Sequence, residues 1–189
     1  MTPPTSAGTV PAAEPGPLAR VCAQSSRAWV VAYGVIALLT AARVPAVTDH
    51  VRTVVDRTIA EGPLEGATQR DLAVNVGVVT AFALTLMLTM VVMAVARRLE
   101  PSLALPDVAA GPWTVSGVLV VVAGVLGAKQ LAMLVTGSTD PRRDPLVWGA
   151  VLAALVAAVV VLARQARTRR ALVRTLGVAG VVGAVSVVW

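Results

Sequence analysis

Residues 145–163 read PLVWGAVLAALVAAVVVLA, nineteen positions without a charged side chain. At about 1.5 Å of rise per residue such a run makes about 28 Å of helix, close to the thickness of a bilayer's hydrocarbon core. Asp144 stands where a helix N-cap belongs and Pro145 where the first helical residue belongs, so the spacing predicts a helix opening at 145. Upstream, Ser138 to Asp144 is long enough only for a tight turn. The apolar run before it, about Trp113 to Thr136 and stopped by Gly137, is therefore expected to be an antiparallel neighbour.

The same reading extends outward in both directions. A longer run, about Asp71 to Ala96, has Thr68 and Asp71 in capping-box spacing at its start and Arg97-Arg98 at its end. Pro101, Pro106, Gly111 and Pro112 break the chain between it and the 113–136 run. A first span begins at about Ala28 and extends through Arg43 to Val47 if that arginine snorkels to the interface. A fifth covers about Ala171 to Trp189, with Arg174 three residues in; a half-buried terminal helix is the alternative there. The expected fold is all-α: a polytopic transmembrane bundle of five spans, about 28–47, 71–96, 113–136, 145–163 and 171–189, within a domain of residues 27–189.

Composition agrees with a bilayer as solvent: 57% of the 189 residues are hydrophobic, only 3% are aromatic, and the mean hydropathy is +0.80. The slim Ala, Val and Leu side chains allow close helix approach, and no alternating ten-residue segments with aromatic girdles speak for a β-barrel. The Ala, Val and Arg bias points to a high-GC bacterial source. Residues 1–26, with Pro3, Pro4, Pro11, Pro15 and Pro17 among small polar residues, are expected to form a disordered cytoplasmic tail; a cleaved signal peptide running into the first span is the rival reading. Between 48 and 70, Val47, Val51, Val54, Val55 and Ile59 recur at helical spacing opposite Asp49, Arg52, Asp56 and Arg57. This predicts a short amphipathic helix ended by Gly62 and Pro63.

The formal charge of +6 would point to nucleic acid in a soluble protein, but the arginines fall beside helix ends and read as lipid-facing instead. With the tail inside the cell, nine arginines lie on or bordering the inner side and six on the outer side, the arrangement the positive-inside rule favours for a plasma-membrane protein with a cytoplasmic N-terminus. The tryptophans agree: Trp29 and Trp113 fall at inner ends of spans, Trp148 and Trp189 near outer ends, where ring and N–H are both satisfied. The densest basic cluster, Arg164, Arg167, Arg169, Arg170 and Arg174, is expected to contact lipid headgroups.

Lys129 is the ionisable residue well inside a span, followed by Gln130. An intramembrane charge marks either a solute pathway or a structural anchor, here about 10 Å from the outer end of its span and within reach of Asp71 or Asn75. Gly177, Gly180 and Gly183, with Gly124 and Gly127, fall at spacings that read as helix-packing faces, within the chain or across a dimer. The triplet spacing in the last run is not a dinucleotide fingerprint, because no strand precedes it. One cysteine excludes an intramolecular disulfide, and Cys22 with His50 is too few ligands for zinc. His50 beside Asp49 reads as an exposed, solvated histidine. No nucleophile with its base, no paired acid and no phosphate loop occurs inside the spans. The chain is therefore expected to have no catalysis and no cofactor.

The layout from residue 28 onward resembles the five-span Yip family, the Rab-interacting membrane proteins of eukaryotes and their bacterial relatives. The likeness rests on the amphipathic segment ending in Arg57 to Glu61, the long second span closing on Ala96-Arg97-Arg98, Asp144-Pro145-Leu146-Val147-Trp148 opening the fourth, and Arg164 to Thr175 before a glycine-rich fifth. It implies a scaffold or accessory subunit acting through membrane lipids and a membrane-protein partner or second copy, with no family residue carried over. The other expectation is a small-solute or ion transporter using Lys129.

Overall fold

A computed structural model describes residues 17–60, 67–103, 105, 107–110, 113–165 and 169–188. Within them lie six helices, α1 (Pro17–Ala41), α2 (Val44–Ala60), α3 (Ala67–Leu103), α4 (Gly117–Thr136), α5 (Pro145–Gln165) and α6 (Arg169–Val188), and a two-stranded antiparallel hairpin, β1 (Val108–Ala110) with β2 (Trp113–Val115).

The fold is all-α in its bulk. Three helices are long and apolar enough to cross a membrane: Thr68–Leu103, Gly117–Thr136 and Pro145–Gln165. The first of the five expected spans is instead a bent pair, Ser26–Ala41 with Val44–Thr58, turned by 48°. Its cause is Pro45. In a continuous helix this residue would donate to the Ala41 carbonyl, but proline has no N–H and its ring meets that carbonyl. α1 therefore stops at Ala41, and Val47 N–H makes the first bond of the new helix to the Arg43 carbonyl at 3.0 Å. Of the fifth expected span, the described residues hold the apolar stretch Val173–Val185 of α6, about 20 Å of helix against a core of about 30 Å.

Other boundaries move for local reasons. Of the segment expected to be a disordered tail, residues 1–16 lie outside the described residues, while 17–26 form the first turns of α1. Pro101 does not end α3, which continues to Leu103; a proline in the last turn removes a single bond. Trp113 does not begin a helix but lies in β2, in register with Ala110. α4 starts where Ser116, in extended conformation, accepts a hydrogen bond from the Val118 amide at 3.2 Å.

α4 is the axis of the bundle. It packs against α1, α3, α5 and α6, and half of its apolar window is buried, against 11% for α3 and 22% for α5. Val118, Val121, Val122 and Leu126 of α4 meet Trp29 and Ile36 of α1, Met93 of α3, Leu162 of α5 and Ala179 of α6 in one core. Large apolar side chains such as Leu38, Val79, Met90, Val135, Leu152 and Val181 face outward, the surface a bilayer accepts and water does not.

The two ends of the bundle differ. At one, the Trp29 indole donates to Glu100 Oε2 at 3.0 Å and Arg97 donates to Ser26 Oγ at 2.7 Å, tying α1 to the end of α3 beside the hairpin. At the other, Gly137 closes α4 in left-handed conformation, φ 66°. There Asp144 Oδ1 accepts from the Leu146 amide at 2.9 Å and caps α5.

The Thr136 hydroxyl donates to Asp144 and, with the Leu146 and Val147 amides and the Ser138 hydroxyl, holds its carboxyl below the usual value against an opposing desolvation. A carboxyl whose folded pKa is depressed contributes stability above its unfolded pKa and loses that contribution as pH falls through the folded value. Asp144→Ala is therefore expected to unfold more readily than the parent at pH 7, with the gap closing below about pH 4. Thermal denaturation in detergent across that range checks it; an unchanged gap at pH 3 would contradict the assignment.

Candidate functional site

The break between α1 and α2 places a cation, Arg43, between the two helix ends. Arg43, in the two-residue break, swings beneath the end of α4: Nη1 donates to Gln130 Oε1 at 2.7 Å and Nη2 to the Ser138 carbonyl at 2.9 Å. Its Nε is buried without a hydrogen-bond partner among the described residues. Thr40, one turn before, returns its hydroxyl to the Ile36 carbonyl at 2.8 Å, a bond that favours bending of the helix end.

Lys129 precedes Gln130 on α4, and the side chains of Arg43, Lys129 and Gln130 are 7%, 5% and 5% exposed. All three line a cavity of about 210 Å³ between the α1–α2 break, α3, α4 and the 138–144 turn, together with Thr40, His50, Thr85 and Thr139. Phe82, Leu126 and Met133 supply apolar walls. Among the described residues no carboxylate lines it. The Arg43 and Lys129 charges repel each other across it, and taking two like charges out of water is costly unless an opposite charge accompanies them. The arrangement suits an anion: a guanidinium, an ammonium as a point charge, and the Gln130 side-chain amide beside them.

Of the residues expected to share this site, Lys129 and Gln130 belong to it, whereas Asp71 and Asn75 do not. Both are exposed near the start of α3, and Ala81, the first residue of α3 to line the cavity, is ten residues past Asp71 and six past Asn75, about 15 and about 9 Å of helix. Arg43 and Thr40 take the place expected for them. The signal was present in the sequence as an arginine two residues before a proline inside an apolar run, a pattern that puts a charge at a helix break. His50, expected to be merely solvated, is exposed yet contributes to the cavity wall.

The basic cluster is partly visible. Arg164, Arg170 and Arg174 are exposed at the end of the bundle shared with Arg97 and Arg98; Arg167 and the side chain of Arg169 lie outside the described residues. The glycines divide. A Cβ built on Gly183 would come within 2.6 Å of Leu155 Cδ1, so Gly183 admits α5 closely, whereas at Gly124, Gly127, Gly177 and Gly180 it would meet nothing within 4 Å. Those four are not contact positions within the described chain. Gly77, unremarked in the sequence, is one: there a Cβ would lie 2.8 Å from Val51 Cγ1, where α2 lies against α3. Trp29, expected among headgroups, is 4% exposed and packed inside the bundle, while Trp148 is 45% exposed; Trp189 and the side chain of Trp113 lie outside the described residues. Among the described residues no three of His, Cys, Asp and Glu gather as a metal site would require. No protein-family model, no curated protein and no solved structure matches this chain.

Proposed function

We propose that this chain is a non-enzymatic, multi-pass membrane protein that binds a small anion in the Arg43–Lys129–Gln130 cavity, as the recognition step of a small-solute transporter. One observation carries the reading: two buried cations converge on a cavity whose lining, among the described residues, holds no carboxylate. The site also sits at a broken helix, the device by which membrane proteins bring backbone and charge to a ligand at depth. In the orientation favoured by positive charge, with the N-terminus cytoplasmic in the plasma membrane, the cavity opens toward the outside.

The test is uptake of labelled phosphate, chloride and acetate into liposomes carrying the full chain, with calorimetric binding of the same anions in detergent. Lys129→Gln and Arg43→Gln are each expected to weaken binding about ten- to a hundred-fold, the worth of a lost hydrogen bond to a charged group. Wild-type affinity in Lys129→Gln would overturn the reading.

A second reading, a scaffold or accessory subunit of Yip type, is favoured by the breadth of outward-facing apolar side chains on α3, α5 and α6. It predicts a membrane-protein partner or second copy whose co-purification is lost when the 164–174 arginines are replaced and is indifferent to Lys129.

A further inference from the structure

A second concavity lies further along the same face of α4, toward the Arg97–Arg98 end, where α3 and α6 stand apart and leave the central helix as a floor. It measures about 600 Å³. Val95 and Leu99 form one wall, Gly177 and Val181 the other, and Val122 lies beneath. Val95, Leu99 and Val181 are 50%, 48% and 65% exposed, so the groove opens sideways, toward lipid. Gly177 keeps its wall bare, since a side chain there would meet no protein atom.

Among the described residues one charged side chain lines this groove, Arg174, and it sits at one end, with Val185 at the far end of the same wall. Eleven residues of helix separate them, about 16 Å, or half of a hydrocarbon core of about 30 Å. The groove is thus one leaflet deep. Its arginine end also carries Arg97 and Arg98 beside Leu99, and Arg170 one turn before Arg174, all exposed. Such a cluster attracts an anionic headgroup. A transmembrane helix seated here would leave the arginine end unused.

We infer that the α3–α6 groove is a binding site for one acyl chain of an anionic phospholipid, whose phosphate is held at Arg174. The groove shares Leu126 with the wall of the anion cavity but takes neither of that cavity's cations.

Native mass spectrometry of the full chain, purified in mild detergent with equal amounts of phosphatidylglycerol and phosphatidylcholine, tests it. The parent is expected to retain one phosphatidylglycerol. Val181→Trp, which fills the groove, should abolish retention; Val95→Trp, on the opposite wall, fills the same space and decides the matter if the first variant does not fold. Arg174→Gln should still hold a lipid but lose about five-fold in preference for the anionic one. Lys129→Gln should leave retention unchanged, which separates this site from the cavity. Absence of retained lipid, equal retention in both tryptophan variants, or a dimer dispersed by them would overturn the inference, the last by giving the groove to a second copy.

Discussion

Trp29→Ala is expected to be the most damaging single replacement in the bundle, lowering stability by about 3–5 kcal/mol, the range for a large aromatic removed from a packed interior. The indole is 4% exposed and belongs to the cluster that joins α1 to Met93, Val118, Val122 and Leu162. Its removal leaves a void at the junction of four helices, and a rigid helical floor cannot collapse to fill it. Loss of dispersion contacts acts in lipid as it does in water, so a membrane setting does not rescue the variant. Trp29→Phe separates packing from polarity. It keeps most of the ring volume and loses the 3.0 Å bond to Glu100, for an expected cost of about 1 kcal/mol. Unfolding in mixed micelles with increasing SDS measures both. A Trp29→Phe loss equal to that of Trp29→Ala would mean that the hydrogen bond, not the packing, holds this end together.

The second large effect concerns the break in the first span. Gln130→Leu takes away the acceptor of Arg43 Nη1 while leaving the guanidinium buried with Nε already without a partner. The expected cost is about 1.5–3 kcal/mol, the value of a hydrogen bond to a charged group. Arg43→Met alone removes the tie to the Ser138 carbonyl as well, but it also removes one of two mutually repelling charges. Its net loss should therefore be smaller. The double variant is expected to cost less than the sum of the singles by at least about 1 kcal/mol, because once the cation is gone the missing amide no longer strands it. Additive losses would show that the two side chains do not stabilise each other. Anion binding gives an independent readout of the same variants: Arg43→Met should lose it even if the fold is hardly weakened.

Which parts of this architecture were legible beforehand follows from the range of the forces involved. The Asp144-Pro145 start of α5, the Gly137 stop of α4 and the turn between them depend on a few consecutive residues, and capping chemistry reads off such a window. The uninterrupted apolar runs of α4 and α5 were equally plain. By contrast, the first span was read as continuing past Arg43 to Val47, ahead of a separate amphipathic helix, although Pro45 carries the local signal for a break there. The amphipathic stripe from Val47 drew attention to the face of the second helix and away from its first turn.

The composition, the three long apolar helices and the gathering of arginines near helix ends were determined by the sequence alone, since each is a sum over neighbouring residues. The partner of Lys129 was not. Helical rise put Asp71 and Asn75 within reach, but the register of α3 against α4 brings Ala81, Phe82 and Thr85 to the cavity, and the 48° bend at Pro45 delivers Arg43. Burial followed the same rule. Trp29 and Trp148 have similar sequence surroundings, yet one lies inside the bundle and the other largely outside, because only the docking of α1 against the end of α3 decides which face of a helix is covered. Local stereochemistry fixes where helices begin and end, whereas the meeting of residues 87 positions apart, as in Arg43 and Gln130, is a property of how the helices pack.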